Sequence, residues 1–331
     1  MQNVDASGDL RAVEDFLSYI PKGQAFPSLY TTPYLTWKVE TNPFGPSGLY
    51  LRRVGETPAA HCSVTAKPAN DHYIPGLRLA ELGDTHTHPD FQKQGHFGAL
   101  GQHAIAACQS AAPEPALIYG LPNQNALPGW LRHCGCEVFD AMAIVEMALD
   151  PGAAIAARFR PRPVAGRGVR IHWGAAEDVI ERTVNETWSR VAAEPWLVRK
   201  DAAWWRWRYR DASETYATGV IRTPEGHAGW VVTKTTPTRW PLVSRASIAD
   251  IVATSDDVAV AVLQAVVMST SPLARVGLWC ARQTEAHRVA TALGFQQVRD
   301  VPVIFVTNEA LQFLRQQHGV PRLSLGDTDN V

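Results

Sequence analysis

The sequence predicts a layered α/β protein made of two related halves, each with a mixed, mostly antiparallel central sheet flanked by helices. The chain of 331 residues exceeds the usual size of one hydrophobic core, so two domains of about 150 residues are expected. Strand-length apolar runs separated by turn residues and one long helical stretch follow each other in the first half. The second half repeats that order, which predicts a tandem architecture.

The first half begins with a predicted hairpin whose turn runs from Gly55 to Pro58. A third strand ends before Pro89, and a helix follows it, because apolar residues then recur every three or four positions. A strand, a short helix and a final strand complete this half. The predicted strands are 49–54, 59–65, 78–87, 116–120 and 141–148, and the predicted helices are 95–111 and 127–133.

Residues 151–168 carry Pro, Gly, Ala and Arg without a clean period, which predicts a linker. We therefore expect domains at 1–150 and 169–310 and a C-terminal tail at 311–331, which starts as a helix and ends in polar residues predicted to be mobile. The predicted strands of the second half are 216–221, 229–234, 246–253, 276–279 and 301–306, with the central helix at 258–270.

The composition is that of a globular protein with a small-molecule partner. Hydrophobic residues make up 46% and charged residues 19%, and 31 Lys and Arg balance 32 Asp and Glu, which argues against a nucleic-acid or membrane surface. The five cysteines form no disulfide framework, the N-terminus lacks a signal-peptide pattern, and no apolar run approaches the roughly 20 residues that span a bilayer. A reducing, cytoplasmic location is expected. Oligomeric state is left open.

The most informative segment runs from Gly83 to Gly98, between the third strand and the long helix. A strand that leads through a glycine-containing loop into a helix presents unpaired backbone N–H groups and the positive helix end to phosphate oxygens. Gly95 lets the backbone approach such a ligand closely, and Lys93 adds positive charge. The segment predicts an anion-binding site.

This segment resembles the acyl-CoA loop of the GNAT N-acetyltransferase superfamily, with Gln92, Gly95 and Phe97 in the loop's three signature places. Phe97 stands where that family has a small residue, and Gly98 follows it directly. Two further landmarks appear in order: Asn123 after the next strand, and 130–136, similar to the family's helix that ends in Lys-Leu-Gly-Phe. The tandem layout resembles bacterial two-domain GNAT proteins, some of which act on amino sugars or thiol-sugar conjugates.

The resemblance implies two GNAT-like domains and transfer of an acetyl group from acetyl-CoA to the primary amine of a small molecule, with an amino sugar or sugar nucleotide as one acceptor class. Acetyl-CoA is the expected cosubstrate, and no metal is expected. The residues expected at the cofactor are Thr87, His88, Gln92, Lys93, Gln94, Gly95, His96, Phe97, Gly98 and Asn123.

Candidate catalytic groups lie on the strand before the loop. Strand alternation places Asp84, His86 and His88 on one face. Acyl transfer to an amine needs a base for the ammonium proton, and Asp84 and His86 are our candidates, with Glu81 a lesser one. The resemblance further implies that this strand diverges from its neighbour and that its exposed N–H groups polarise the thioester.

The family's usual acid, a Tyr four residues before the Gly of Leu-Gly-Phe, is missing, since Leu131 holds that place. Tyr119 and His133 are candidate substitutes. Cys134 as a nucleophile has only His133 as a neighbouring partner, and a buried thiol is the simpler interpretation. Asn125 is a candidate cap for the following helix.

Other interpretations stay open at this stage. The pattern of His86, His88 and His96 could suggest zinc, although no carboxylate or Cys cluster completes the ligand set. The Trp-rich run 204–209 suits interior or interdomain packing better than ring stacking on a ligand. The second half lacks a glycine loop and carries Asp256 and Asp257 instead, which predicts a degenerate domain. A noncatalytic acyl-CoA sensor, a longer acyl chain or a protein amine are the alternative functions.

Overall fold

The structure is a computed structural model that describes residues 4–6, 10–18, 31–148, 168–212, 215–237, 244–269, 275–281, 285–316 and 321–327. Most of the predicted linker lies outside these ranges, and the domain boundaries stay a prediction. Within the described ranges, no helix combines the length and apolar character needed to cross a membrane.

The first half follows the predicted order, with extra elements at its start. A helical segment at its beginning continues into a π-helical turn, Thr36–Glu40. Its strands are β1 Val4–Ala6, β2 Gly48–Val54, β3 Thr57–Lys67, β4 Arg78–Thr87, β5 Ala116–Gly120 and β6 Cys136–Ala148. Its helices are α1 Leu10–Leu17, α2 Thr32–Leu35, α3 His96–Ser110 and α4 Leu127–His133.

The second half repeats these elements, including a second π-helical turn, Arg206–Arg210. Its strands are β7 Arg170–Trp173, β8 Ala217–Thr223, β9 Gly226–Pro237, β10 Ser244–Ala253, β11 Arg275–Ala281 and β12 Gln296–Val306. Its helices are α5 Glu177–Val191, α6 Ala202–Trp205, α7 Asp256–Ser269, α8 Glu285–Ala292 and α9 Glu309–Gln316.

The described strands form one continuous sheet in the order β1-β2-β3-β4-β5-β12-β6-β11-β10-β9-β8-β7. This order maps onto its own reverse when each strand of one half is exchanged for its counterpart in the other, as a two-fold axis between β12 and β6 requires. The last strand of each half therefore pairs with the other half: β12 lies between β5 and β6, and β6 lies between β12 and β11. Each half-sheet is mixed and mostly antiparallel, as predicted.

Two tryptophans lie at this pseudo-symmetry axis. Trp37 and Trp207 stack with ring centroids 4.8 Å apart and planes 16° apart. Each indole N–H donates to the other residue's backbone carbonyl, at 2.6 Å from Trp37 and 3.2 Å from Trp207. The predicted interior role of the Trp-rich run is confirmed, because Trp204, Trp205 and Trp207 are all buried. Trp37 and Trp207, which occupy equivalent positions in the two halves, are thus in direct contact.

Helices cover both faces of each half-sheet. In the first half, α3 and α4 pack on one face, and α1, α2 and α9 pack on the other. The core under α1, α2 and α9 also contains Leu197, Trp204 and Trp207 from the second half. The two halves therefore share one hydrophobic core. This shared core fixes the π-helical turn that carries Lys38 against β3 and β4.

The C-terminal segment 321–327 packs into the core rather than forming a free end. Leu323, Ser324 and Asp327 are buried, and Ser324 forms an isolated β-bridge with Cys280 of β11. A Cβ at Gly326 would lie 1.9 Å from the Tyr209 hydroxyl, so only glycine fits there. The predicted mobility of the polar C-terminal end is therefore wrong for these seven residues, which are held by buried polar contacts.

Candidate functional site

Strands β4 and β5 diverge where the cofactor is expected. They pair in parallel from Arg78 with Ala116 to Leu82 with Gly120, and β4 then continues to Thr87 while β5 ends. Gly120 pairs with Ile304 of β12 on its other side. Within the described part of the chain, the β4 edge beyond Leu82 therefore has no strand partner on the β5 side.

A β-bulge interrupts β4 at the start of this opening. The β3–β4 register shifts between His61 and Ser63, and Asp84 has a φ of 47°, in the left-handed region. Ser63 Oγ donates to Asp84 Oδ2 at 3.2 Å, and His61 pairs directly with His86. Since Ser63 and His61 are two residues apart on β3, Asp84 and His86 lie on the same face of the sheet, as alternation predicts.

The Asp84 carboxylate is engaged in a buried ion pair. Lys38 Nζ lies 2.5 Å from Asp84 Oδ2, and both residues are buried. A carboxylate neutralised by a buried ammonium group and shielded from solvent is poorly suited to take a proton from a substrate. This geometry disfavours the predicted role of Asp84 as the base. Lys38 carries no local sequence signal that links it to Asp84, 46 residues later.

His61 and His86 are held neutral by burial. His61 Nδ1 lies 2.9 Å from the Asp84 carbonyl oxygen, which can only accept, so Nδ1 carries the proton and Nε2 has the lone pair. Burial lowers the pKa of His61 to about 4, against the opposing effect of Asp84. Burial also lowers the pKa of His86, again with Asp84 opposing. His86 is half-buried, and as a neutral imidazole it can accept a proton.

The free energy of unfolding is expected to fall by about 2 kcal/mol between pH 6.5 and pH 5 through His61 alone. The unfolded His61 binds a proton near pKa 6.5, whereas the folded one binds it only near pKa 4, so acid favours the unfolded chain. Urea denaturation at several pH values measures this slope. His61→Asn keeps a donor for the Asp84 carbonyl and should flatten the slope, while His172→Asn, on exposed β7, should leave it intact. Equal slopes for His61→Asn and the wild type would contradict the assignment.

The loop after β4 is built from its own polar contacts. The His88 side chain accepts from the backbone N–H of Asp90, Gln92 Nε2 donates to the Thr87 carbonyl at 3.3 Å, and Gln94 Nε2 donates to the Asp90 carbonyl at 2.9 Å. Lys93 and Gly95 are exposed, and both adopt left-handed backbone conformations with φ values of 61° and 79°. The loop therefore connects β4 to α3 and leaves the N-terminus of α3 uncovered.

The first turn of α3 follows directly on the loop that leaves β4. Gly95 precedes the helix, and the N–H groups at the start of an α-helix have no partner within it. The His96 side chain turns away from the loop, since its Nδ1 accepts from Arg52 Nε at 2.9 Å. Burial and Arg52 lower the pKa of His96. His96 therefore offers its backbone to a ligand rather than its ring.

Phe97 does not obstruct the loop. Its ring lies edge-on to Trp130 of α4 with centroids 5.0 Å apart, and a Cβ at Gly129 would lie 2.6 Å from it. Gly98 allows α4 to approach on the next residue, because a Cβ there would lie 2.7 Å from His133 Cβ. The large Phe97 side chain, which stands where the resembled loop has a small residue, is thus accommodated between α3 and α4.

No protein-family model and no curated protein of known function matches the sequence. The structure matches a probable N-acyltransferase from Enterococcus faecalis (TM-score 0.63, 14% identity, 92% of this chain and 72% of the other) and a GCN5-related N-acetyltransferase from Anabaena variabilis (0.62, 12%, 93% and 73%). It also matches a tandem GNAT protein from the clavulanic acid biosynthesis pathway, with TM-score 0.62, 16% identity, and 92% and 98% of the two chains covered. The chain has the tandem GNAT fold. The expected fold is confirmed, and identities this low bear on the fold alone.

The two halves of the GNAT fold differ at the equivalent opening. In the second half, β10 and β11 stop pairing at Ile248 with Leu278, and a cavity of about 110 Å³ lies beside them. Only Thr254 and Ser255 separate β10 from α7, and the helix starts with Asp256 and Asp257. This half therefore has no glycine between β10 and α7 and places negative charge where the first half has Lys93; that the domain is degenerate stays a prediction.

The two candidate acids, Tyr119 and His133, are a buried and an exposed side chain. The Tyr119 hydroxyl is buried and donates to the Asp327 carbonyl at 2.6 Å, so its proton is engaged away from the opening. Leu131 is 39% exposed, and His133 is also exposed, beside Gly98. Burial raises the pKa of Cys134 to about 11, which keeps it a thiol, as the simpler interpretation predicts.

Two further predicted residues serve local structure. Asn123 Oδ1 accepts from the backbone N–H groups of Asn125 and Ala126 at 3.0 and 2.9 Å, so Asn123 rather than Asn125 caps the turn into α4. Glu81 is buried against Lys67, with Nζ to Oε2 at 2.9 Å.

Both His86 and His88 lie near the opening, and no group of three or more His, Cys, Asp or Glu suited to a metal occurs among the described residues.

Proposed function

We propose that this protein is an N-acyltransferase that moves an acetyl group from acetyl-CoA to the primary amine of a small molecule. The observation that carries the proposal is the opening between β4 and β5, which adjoins the left-handed loop at Lys93 and Gly95 and the first turn of α3. The extended thioester-bearing arm of acetyl-CoA fits a strand edge without a strand partner, and the pyrophosphate of the coenzyme fits a helix N-terminus. Amino sugars and sugar nucleotides are the first acceptors to test.

Each part of the opening has a role in this proposal. The backbone N–H groups at the start of α3, with Lys93, hold the pyrophosphate, and the backbone N–H groups on the β5 side of β4, beyond Leu82, polarise the thioester carbonyl. His86 takes the ammonium proton, directly or through water. The neutral nitrogen then attacks the thioester carbonyl, and the carbon–sulfur bond breaks as the tetrahedral intermediate collapses. The nitrogen loses its second proton to water, and the departing thiolate takes a proton from water, since Leu131 offers none.

The test is calorimetric titration of acetyl-CoA into the wild type, Gly95→Trp and Gly76→Trp. We expect the wild type to bind near a micromolar dissociation constant, about −8 kcal/mol, and Gly95→Trp to bind at least about 30-fold more weakly. Gly76 is the matched control, because its φ of 71° is close to the 79° of Gly95 and a Cβ at either position meets nothing within 4 Å. Both variants thus carry the same backbone strain.

The outcomes separate the remaining alternatives. No heat from the wild type with acetyl-CoA or a longer acyl-CoA would overturn the acyltransferase proposal. Equal affinity in Gly95→Trp and the wild type would move the site away from this loop. Binding without thiol release across amine and peptide panels would support a noncatalytic acyl-CoA sensor, and release only with peptides would favour a protein amine.

A further inference from the structure

The bulge on β4 is a strained feature held by three separate contacts. Asp84 is one of two described non-glycine residues with a positive φ, a backbone conformation that L-residues other than glycine adopt only infrequently. Lys38 and Ser63 hold its carboxylate at 2.5 and 3.2 Å, and His61 holds its carbonyl oxygen at 2.9 Å. Both the side chain and the main chain of Asp84 are therefore fixed.

The Lys38–Asp84 pair is poorly explained by stability alone. Lys38 and Asp84 are 0% and 5% exposed, and taking two charges out of water offsets much of their attraction. The second carboxylate oxygen, Asp84 Oδ1, is buried without a hydrogen-bond partner among the described residues, so the pair is not fully satisfied. A buried ion pair with an unsatisfied hydrogen-bond acceptor, next to a strained backbone, is typical of a functional site whose backbone geometry is held in place.

The second half contains a comparable arrangement without the loop. β10 has a register shift between Ile248 and Asp250, and the Asp250 carboxylate is held by buried Lys200 at 3.1 Å. β10 and β11 also diverge here, but no glycine loop follows β10, so the second half is an internal control: a bulge with a buried Lys–Asp pair beside an opening that lacks the loop.

We propose that the Lys38–Asp84 ion pair is a positioning device that holds the β4 bulge so that the backbone N–H groups on the β5 side of β4, beyond Leu82, are aimed at the thioester carbonyl. This inference rests on the proposed function. Lys38 and Asp84 touch neither substrate; they act through the backbone of β4. The two residues form one unit, because the lysine on the π-helical turn fixes the side chain whose main chain forms the bulge.

The test measures carbonyl polarisation rather than folding. The infrared carbonyl band of [1-13C]acetyl-CoA is recorded free and bound to the wild type, Lys38→Met/Asp84→Asn and Asp250→Asn. The double variant leaves no unpaired buried charge, and Asn tolerates the left-handed conformation. Asp250→Asn is balanced too, because Lys200 keeps Asp327. We expect the bound band to move to lower frequency in the wild type and Asp250→Asn, and to return toward the free value in the double variant.

The affinity for acetyl-CoA separates this inference from the proposed function. Dissociation constants within about threefold across the variants, together with a lost band shift only in the double variant, support the positioning role. A full band shift in a folded double variant overturns it while leaving the proposed function intact. Failure of the wild type to bind overturns both. If that double variant does not fold, Lys38→Gln/Asp84→Asn decides, since it also removes the ion pair but keeps a hydrogen-bonding side chain at both positions, and a full band shift there overturns the inference.

Discussion

Replacing Lys200 by methionine is expected to lower the free energy of unfolding by about 3–5 kcal/mol, because it leaves buried carboxylates without a cation. Lys200 Nζ lies 3.1 Å from both carboxylate oxygens of Asp250 and from Ser324 Oγ, and it also pairs with Asp327. All four residues are buried. Urea denaturation followed by tryptophan fluorescence measures the loss.

The loss should grow with pH. Burial raises the pKa of Asp327 even with Lys200 beside it, so the folded chain holds a proton on this carboxyl more readily than the unfolded chain does. Removing the lysine strengthens that preference. Stability is then retained at low pH, where the carboxyls are protonated in both states, and lost as the pH rises through the raised value.

A charge-balanced variant is the control for this prediction. Lys200→Met/Asp250→Asn/Asp327→Asn removes the cation and both carboxylates and should recover at least half of the lost stability. The same variant also tests the C-terminal segment, which this cluster ties to β10. If the triple variant is no more stable than Lys200→Met, the loss comes from packing rather than from unpaired charge.

Replacing His86 by glutamine is expected to lower kcat by a factor of about 10²–10⁴, with KM for acetyl-CoA nearly unchanged. His86 lies on the open part of β4, on the same face as Asp84, and directly opposite His61. Unlike Asp84, whose carboxylate is paired with Lys38, His86 is half-buried next to the opening. Release of the free thiol of CoA, with the best acceptor from a panel of primary amines, measures the rate.

The pH profile of the wild type gives a second, independent readout. Burial lowers the pKa of His86 below its ordinary 6.5, so the neutral base persists to mildly acidic pH, and kcat should fall as the pH drops through that lowered value. His86→Gln should lose this acidic limb. His103→Gln, on the exposed side of α3, is the matched control and should keep both the rate and the limb. An acidic limb that survives in His86→Gln would assign the base elsewhere.

Much of each half could be predicted from local sequence. The Gly55 to Pro58 turn predicts the β2–β3 hairpin, and helical periodicity predicts α3 to within one residue at each end. The elements at the start of each half, α1 and α5 among them, are not predicted from the sequence, although Gly8 precedes α1 and Gly174 precedes α5. β6 is longer than predicted, since it starts directly after Gly135, whose φ of 62° ends the preceding turn.

The candidate site divides in the same way. The loop from Thr87 to Gly98 could be singled out from sequence because its shape depends on local backbone geometry, with Gly95 in a left-handed conformation. The role of Asp84 could not, because alternation gives the face of a side chain and not its partner. Lys38 reaches Asp84 only through the packing of the π-helical turn against β3 and β4.

By itself, the sequence determined the α/β class, the repeat, the balanced charge and the single glycine loop, since turn residues, periodicity and composition act over short stretches of chain. Only the tertiary structure decided that β6 and β12 exchange between halves, that Trp37 and Trp207 meet at the pseudo-two-fold axis, and that the Asp84 carboxylate pairs with Lys38. These features join residues 46 to 170 positions apart, where a strand or a charged side chain has several chemically equivalent partners. The choice among them follows from how the two halves share one buried core.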